Sequence, residues 1–268
     1  MKLVPARVLD RWHISAPEKI AATATSTLWQ VRQANGQPAV LKILKDSEVE
    51  EARGADYLQS LAGQGAVQVL ARNGSAILME FCPGQSLGDL ARAGQDAEAV
   101  EILCDIILRL QAARPRTTGL QPLDARFAPL TSCSWTGDMA IAAEIARDLL
   151  DSPVPLVALH GDLHHDNILA SPRGWLAIDP KGVWGDLAYE PANAFRNPEG
   201  LGDRLFDPAR IRHIALGFSQ GLGLPPYRLL GWAAAHCALS TVWSREAGQD
   251  ISDDLRLLAL LLAGWQLE

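Results

Sequence analysis

The chain has 268 residues, 48% of them hydrophobic, which is enough to bury a sizeable core as one large domain or as two lobes. Its net charge of −7 argues against a nucleic-acid partner, which calls for a basic face. No apolar run reaches the roughly 18 residues of a membrane span, and Asp10 and Arg11 interrupt the N-terminus before a signal-peptide core forms. We therefore expect a cytoplasmic protein with neither a membrane nor a nucleic-acid partner; nothing in the sequence indicates an oligomeric state.

The first third of the chain has the pattern of a small antiparallel sheet with one helix. Asn35-Gly36 and Asn73-Gly74 are hairpin turn signals between runs rich in β-branched residues. The expected strands and helix are, in order, strands in 20–32, 39–44, 67–70 and 76–81, with a helix over 46–61 between the second and third of these runs. We read this as a five-stranded sheet that ends before Cys82-Pro83-Gly84, and so as an N-terminal lobe of residues 1–81.

One lysine interrupts an apolar strand of this sheet. Lys42 either points outward from an edge strand or serves a site. The helix that follows carries three glutamates, of which Glu51 shares the inward face with Ala55 and Leu58. Glu48 fits that face nearly as well. A strand lysine followed by a helix glutamate matches the ion pair that holds a kinase lysine against nucleotide phosphates.

The remainder, residues 82–268, is expected to be a mainly helical lobe. It carries 15 basic and 23 acidic residues, a balance that would attract a cationic small molecule but that a solvated acidic surface would also produce. Residues 115–136, which contain Pro, Thr and Ser, are expected to form a long connection. The expected helices are 86–93, 97–113, 137–150, 207–221, 225–246 and 252–265.

A β-hairpin in this part brings polar groups together. The apolar runs 168–170 and 175–178 flank Ser-Pro-Arg-Gly, which supplies the turn. Asp162 and Asn167 precede the first strand and Asp179 follows the second, so folding places all three at one end. Hard oxygen ligands of this kind suit Mg²⁺, which binds few protein groups and completes its shell with water and phosphates.

The spacing Asp162-x-x-x-x-Asn167 is that of a kinase catalytic loop. In such a loop the Asp orients the attacking hydroxyl, and the Asn and a later Asp carry metal ions. His160, two residues before Asp162, and Asp179, after the hairpin, strengthen this interpretation over a polar turn in which the Asp merely caps a loop.

With these residues in hand, the sequence resembles the aminoglycoside phosphotransferase branch of the kinase-like fold. Within that branch it is most similar to the streptomycin 6-phosphotransferases, also called aminoglycoside/hydroxyurea resistance kinases. The segments that carry the resemblance are 12–15, 53–58, 159–168, 173–180 and 192–198. The resemblance covers nearly the whole chain and implies a bilobal α+β fold, with a small β-rich N-terminal lobe and a larger helical C-terminal lobe.

Roles follow from the resemblance by position. It implies that Asp162 is the catalytic base or orienter, that Asn167 and Asp179 bind Mg²⁺, and that Lys42, braced by Glu51, contacts the phosphates of ATP or GTP. His160 is expected to orient the loop rather than to act as a base.

The nucleotide would also meet the N-terminal lobe at two further places. Adenine would pair with backbone groups of the stretch from Glu80 to Cys82. There is no G-x-G-x-x-G motif between Ile20 and Val31; Thr23–Thr27 occupies that place. Ser26 or its neighbours would meet the β-phosphate there, unless the segment is a plain strand turn.

The acceptor pocket is expected beyond Asp162, under the 182–197 loop and the C-terminal helices. Streptomycin carries guanidinium groups, so Asp186 and Glu190 are the proposed acidic partners, unless they are solvated loop residues. Three other functions stay open: a kinase of a non-antibiotic alcohol, a metal-dependent hydrolase using the dense His and Asp cluster at 160–166, and a non-catalytic nucleotide-binding module.

Overall fold

The computed structural model of the protein describes residues 4–23, 25–45, 49–152 and 154–266. Two parts of different composition follow one another along the chain. The first is built on a five-stranded antiparallel sheet and the second mostly on helices, which confirms the predicted fold class. The predicted lobe boundary at residue 81 falls one residue after the fifth strand, and it stays a prediction.

The N-terminal sheet has the strand order β1-β2-β3-β5-β4. Helix α2 lies between β3 and β4 in the chain, and α1 precedes the sheet. Strand β3 is central, because it pairs with both β2 and β5 and its apolar side chains alternate into a core around Val31 and Leu41. The bounds are α1 Ala6–Trp12, β1 Ser15–Ala22, β2 Ser26–Arg32, β3 Pro38–Leu44, α2 Val49–Leu61, β4 Val69–Asn73 and β5 Ala76–Glu80.

In the part of the chain that the structure describes after residue 81, seven helices pack around two small sheets. Helix α8 is its centre: most of its side chains are buried, and it contacts α5, α6, α7 and α9. Its helices are α3 Leu87–Arg92, α4 Asp96–Ala112, α5 Leu123–Thr131, α6 Asp138–Asp151, α7 Pro208–Leu222, α8 Pro226–Glu246 and α9 Ser252–Trp265. Within the described residues, no helix is long and apolar enough to cross a membrane.

The strands of this part carry the polar segments. The predicted hairpin is present as β8 and β9, with Ile168 opposite Ala177. A second sheet of order β6-β10-β7 lies beside it. The bounds are β6 Gln121–Pro122, β7 Leu156–Leu159, β8 Ile168–Ser171, β9 Gly174–Ala177 and β10 Val183–Asp186.

The prediction of a long connection over 115–136 is wrong. This segment contains β6 and the nine-residue helix α5. Prolines at 122 and 129 obscure the helix in the sequence, but Leu123, Phe127 and Leu130 recur at helical spacing and are buried in the core. The N-terminal helix α1 was not predicted either, and the first strand starts at Ser15 rather than at residue 20.

Candidate active site

The hairpin β8–β9 brings the predicted metal-binding residues together. Asn167 immediately precedes β8, and its carbonyl accepts a hydrogen bond of 2.9 Å from the amide of Ile178, just after β9. Asn167 and Asp179 therefore line the same cavity, although twelve positions separate them in the chain. Asp179 has a positive φ of 60°, a strained value for a residue other than glycine, of the kind often kept at functional sites.

Asp162 lies at the end of the loop that leaves β7. One carboxylate oxygen accepts a hydrogen bond of 2.8 Å from the side-chain amide of Asn193, and the backbone carbonyl accepts one of 2.9 Å from Asn167 Nδ2. Burial raises the pKa of Asp162, against the opposing positive charges of Lys181 and Arg126. The side chain is thus fixed in orientation and held in an environment that favours taking up a proton.

The loop is anchored from below by Glu190. Its carboxylate accepts hydrogen bonds from the backbone amides of His160, at 2.8 Å, and of Gly161, at 3.1 Å. The His160 ring bonds the carbonyl of Ile178 through Nε2 and accepts from the amide of Asp162 through Nδ1. Burial lowers the pKa of His160 to about 3, so the ring is neutral near pH 7 and is placed as an orienting group.

Three charged side chains from distant elements, Lys42, Glu51 and Asp179, line one cavity. The ammonium of Lys42, on β3, contacts both Glu51, on α2, and Asp179. The other oxygen of Glu51 lies 3.4 Å from Lys181 Nζ and accepts a hydrogen bond of 3.1 Å from Thr25. The predicted geometry of Lys42 and Glu51 is therefore present, while Glu48 lies outside the described residues.

A glycine makes this approach of helix and loop possible. A Cβ placed on Gly54, one turn after Glu51, would lie 1.9 Å from the carbonyl oxygen of Pro180. Only a residue without a side chain lets α2 come this close to the segment after Asp179. Burial would by itself raise the pKa of Asp179, but Lys42 and Lys181 outweigh burial and lower it, so the carboxylate stays ionised.

The cavity beside this cluster has a volume of about 260 Å³ and apolar walls. The predicted nucleotide contacts Ser26, Glu80 and Cys82 all line it. The Ser26 side chain is buried, next to the Thr23 hydroxyl at 3.1 Å. The Glu80 side chain pairs with Arg173, which leaves its backbone for the predicted ligand contact; that contact stays a prediction.

The oxygen donors in this cavity fit Mg²⁺ held together with phosphates. The described residues contain no group of three or more His, Cys, Asp or Glu side chains that would hold a metal ion alone. The amide nitrogen of Asn167 donates a hydrogen bond to the carbonyl of Asp162. Its amide oxygen is left as an acceptor in the cavity that Asp179 also lines. Two hard oxygen ligands, with the remaining positions left to phosphate and water, is the arrangement that Mg²⁺ favours.

A second cavity, of about 550 Å³, opens on the other side of Asp162. Helices α2, α5 and α8 and the loop around Asn193 supply its walls. The residues that line it are Glu50, Arg126, Asp162, Lys181, Asn193, Arg196, His236, Ser240, Trp243, Ser244, Ala247 and Gln249. This is the position expected for the acceptor pocket, although most of these residues were not predicted.

Arg126 is the centre of the second cavity's wall. Its guanidinium donates to Glu50 at 3.0 Å and to the Tyr189 hydroxyl at 3.2 Å, and it lies 5.0 Å from the centre of the Trp243 ring. The Glu50 pair connects α2 to α5 across the cavity. Sequence reasoning missed Arg126 because it lies in the segment interpreted as a connection.

The other wall residues left weak signals in the sequence. His236, Ser240 and Trp243 recur at the spacing of one helix face on α8, and Asn193 lies in the 192–198 segment that carried the family resemblance. A polar face on an otherwise apolar helix could have indicated the pocket. Trp184, on β10, does not line this cavity and packs against the core.

The prediction that Asp186 and Glu190 bind the acceptor is wrong. Asp186 is 1% exposed and accepts hydrogen bonds from Arg228 and from the Trp232 indole, so its charge is already neutralised inside the core. Glu190 is 2% exposed and holds the loop that carries Asp162. Neither lines the second cavity.

Comparison with known proteins agrees with this geometry. The profile of the aminoglycoside/hydroxyurea antibiotic resistance kinase family matches residues 11–248. A streptomycin 3''-kinase of Klebsiella pneumoniae is 39% identical over 88% of this chain and 90% of its own length. A streptomycin 6-kinase of Streptomyces griseus is 28% identical, over 91% and 82%.

A solved structure gives the same fold. Aminoglycoside phosphotransferase APH(4)-Ia, in a ternary complex with ADP and hygromycin B, superposes with a TM-score of 0.66 at 15% identity and covers 97% of both chains. The greater identity to the 3''-kinase than to the 6-kinase does not support the predicted preference for the 6-kinases. The chain belongs to the aminoglycoside/hydroxyurea antibiotic resistance kinase family and is a small-molecule kinase.

Proposed function

We propose that the protein transfers the γ-phosphoryl group of ATP to a hydroxyl of streptomycin and so inactivates the antibiotic. The observation that carries the proposal is the position of Asp162. It lines the acceptor cavity, and its backbone carbonyl bonds Asn167, which lines the nucleotide cavity together with Lys42, Glu51 and Asp179. A group that orients a hydroxyl thus lies between an acceptor site and a phosphate site.

On the nucleotide side, positioning and charge do the work, because phosphoryl transfer asks the protein for little covalent chemistry. Lys42 holds the phosphates and is kept in place by Glu51. Asn167 and Asp179 would hold Mg²⁺, which would supply positive charge to the phosphate oxygens. GTP would satisfy the same contacts.

On the acceptor side, Asp162 orients the hydroxyl and receives its proton as the new bond to phosphorus forms. The hydrogen bond from Asn193 keeps the carboxylate oriented to receive the proton of the hydroxyl, and Glu190 keeps the loop in place. The raised pKa of Asp162 suits this role, since a general base works best when its pKa approaches the operating pH.

Streptomycin is proposed on two grounds. The relatives described above are named as streptomycin kinases, and the 3''-hydroxyl is the preferred position because the identity to the 3''-kinase is higher. The acceptor cavity also offers the Glu50 carboxylate, 45% exposed, and the ring of Trp243; both contact the guanidinium of Arg126, and a guanidinium of the acceptor can share the same two groups.

One observation favours a second candidate, a kinase of a less cationic alcohol. Among the described residues, the acceptor cavity has three cationic side chains, Arg126, Lys181 and Arg196, against two carboxylates, Glu50 and Asp162. A site of this balance would also suit a hydroxyl-rich acceptor with little positive charge. The fold supports both acceptors, since the acceptor pocket can vary while the scaffold is kept.

A coupled ADP-release assay tests the proposal. MgATP is supplied with streptomycin, other aminoglycosides, hydroxyurea and simple amino alcohols, and Asp162→Asn is the control. We expect streptomycin alone to accelerate ADP release, and the variant to lose about 10²- to 10⁴-fold of that rate. Acceleration by an uncharged alcohol but not by streptomycin would select the second candidate, and no acceleration by any acceptor would contradict both.

A further inference from the structure

Among the described residues, Lys181 is the one charged side chain of the acceptor cavity wall with a salt bridge to the cluster of Lys42, Glu51 and Asp179. Its backbone amide donates to the carbonyl of His160 at 2.8 Å, and the next amide, of Gly182, donates to the same oxygen at 3.1 Å. The residue is therefore clamped to the loop that carries Asp162. Its backbone position is fixed by the loop that presents the acceptor's orienting group.

The side chain runs from this clamp towards the nucleotide side. Lys181 lines the acceptor cavity, yet its Nζ lies 3.4 Å from Glu51, which lines the nucleotide cavity. Glu51 contacts Lys42 through its other oxygen. The ammonium of Lys181 thus lies where the two cavities meet, on the opposite side of Glu51 from Lys42.

Two lysines share this one carboxylate, and at 3.4 Å the contact of Lys181 with it is long. The more distant carboxylates of Asp179, Asp162 and Glu50 also act on the ammonium of Lys181. Asp179 supplies a second carboxylate to Lys42 but has no hydrogen bond to Lys181. The Lys181 side chain keeps 19% of its surface exposed, whereas that of Glu51 keeps 5%. An ammonium that is partly open and weakly paired can turn to a newly arrived anion, whereas a tightly buried pair cannot.

We propose that Lys181 is a catalytic residue that contacts the phosphoryl group in flight, while Lys42 holds the phosphates that stay with ADP. This proposal rests on the function proposed above. A lysine acts on phosphate as a mobile point charge, which suits a group that moves between two sites.

The step needs no other reactant. The bond from the γ-phosphorus to the oxygen bridging to the β-phosphate breaks, and ADP keeps the electron pair. The acceptor oxygen forms the new bond to phosphorus, and its proton passes to Asp162. Lys181 exchanges neither proton nor electron, and its positive charge stabilises the three peripheral oxygens of the phosphoryl group as it passes.

A purely structural role would look different. If Lys181 only braced Glu51, its loss would loosen Lys42 and weaken nucleotide binding. If it contacts the transferring group, its loss lowers kcat and leaves the binding of ATP and acceptor nearly intact, because the interaction is made in the transition state alone.

The experiment compares Lys181→Gln and Lys181→Arg with Lys19→Gln, a matched change at an exposed lysine of β1. With MgATP and streptomycin, we expect Lys181→Gln to lower kcat about 10²-fold with little change in either KM. Lys181→Arg should recover part of that loss, and Lys19→Gln should behave as wild type. Lys181→Met, which keeps the aliphatic stem, repeats the test if the thermal melt shows that the glutamine variant is not folded.

A second readout does not depend on the acceptor. Aluminium fluoride added to MgADP mimics the phosphoryl group in flight, so the wild type should bind this combination more tightly than MgADP alone, and Lys181→Gln should lose that gain. An unchanged kcat, or a fall in kcat that tracks weaker MgADP binding while the aluminium fluoride gain persists, would overturn the inference. If wild type ignores streptomycin but the gain still requires Lys181, the proposed acceptor fails and the inference stands.

Discussion

The two cavities of this kinase are built in opposite ways. On the nucleotide side, Lys42, Glu51 and Asp179 form a compact group in which each charge has a partner. On the acceptor side, Glu50 is 45% exposed and pairs with Arg126, although its neighbour in the chain, Glu51, is 5% exposed and belongs to the phosphate-side group. Phosphate is the same in every reaction of such a kinase, whereas the acceptor is not, so rigidity belongs on the first side and adaptability on the second.

A carboxylate that does not line the acceptor cavity, that of Asp186, has a structural role. Asp186 looks like an acceptor contact in the sequence but is sealed in the core with Arg228 and Trp232. Asp186→Ala would leave Arg228 as a buried charge without its carboxylate. We expect a loss of about 3–5 kcal/mol in the free energy of unfolding, measured by urea denaturation.

The control for this prediction is kinetic. At a temperature where the Asp186→Ala variant is still folded, its KM for the acceptor should equal that of the wild type, because Asp186 does not line the acceptor cavity. A stable variant with a raised acceptor KM would return Asp186 to the role that the sequence suggested.

On the nucleotide side, we expect substitutions at Lys42 and at its partner Glu51 to have unequal effects. Lys42→Met leaves Glu51 and Asp179 without their common cation, whereas Glu51→Gln leaves Lys42 with Asp179. We expect kcat/KM for ATP to fall about 10²-fold or more in Lys42→Met, as when a charged stabilising group is removed, and clearly less in Glu51→Gln. Steady-state kinetics at saturating acceptor measures both, and equal losses would show that the lysine acts only through Glu51.

Sequence reasoning works for this protein where a few local elements fix the geometry. Asp162, Asn167 and Asp179 were found because a loop of fixed spacing and one hairpin determine their relative positions. Lys42 and Glu51 followed from a strand followed by a helix. In each case the geometry depends on a few local elements, which the turn residues and apolar spacing specify.

The acceptor side depends on long-range packing, which leaves no fixed spacing. Arg126, on α5, reaches Glu50, on α2, across the cavity and from 76 positions away in the chain. Asp186 and Glu190 failed as predictions for the same reason: nothing in their neighbourhood shows that Arg228, Trp232 or the catalytic-loop amides will consume their charge. The local sequence shows that a residue is acidic, but not which cation or hydrogen-bond donor will pair with it in the folded protein.

Glu190 connects the two sides, because it holds the loop of Asp162 from within the core. Burial raises its pKa to about 7, with the charge of Asp162 adding to the shift and the two backbone amides opposing it; Tyr57 and Tyr189 also lie nearby. A carboxyl whose folded pKa is raised contributes stability at low pH that is lost as the pH rises through that value. Relative to an ordinary glutamate, the cost at pH 8 is roughly 3 kcal/mol at most.

Glu190→Gln removes this ionisation. We therefore expect the stability of the variant, relative to wild type, to improve as the pH rises from 5 to 8, in urea denaturation series at several pH values. A difference between the two proteins that does not change with pH would contradict the buried, titrating carboxyl. The kcat of the variant should still fall at pH 8, because the amide group accepts from only one of the two backbone amides without presenting its own hydrogens to the other.

The smallest expected effect is on the acceptor side. Glu50→Gln removes the charge of a 45% exposed carboxylate that also pairs with Arg126. The acceptor would lose a charge-assisted contact of roughly 1.5 kcal/mol, so KM for streptomycin should rise about tenfold while KM for ATP stays constant. The neighbouring change Glu51→Gln is the matched control, since it should affect the nucleotide instead. A rise in both KM values for Glu50→Gln would show that α2 couples the two cavities.

The measurement that tests the central claim most directly is the chemical identity of the product. Streptomycin is incubated with MgATP and either wild-type enzyme or Asp162→Asn, and the antibiotic is examined by mass spectrometry and by NMR. We predict a gain of one phosphoryl group, on the 3''-hydroxyl, with wild type and none with the variant. Unmodified streptomycin from an enzyme that still binds MgATP, or equal phosphorylation by Asp162→Asn, would contradict the account.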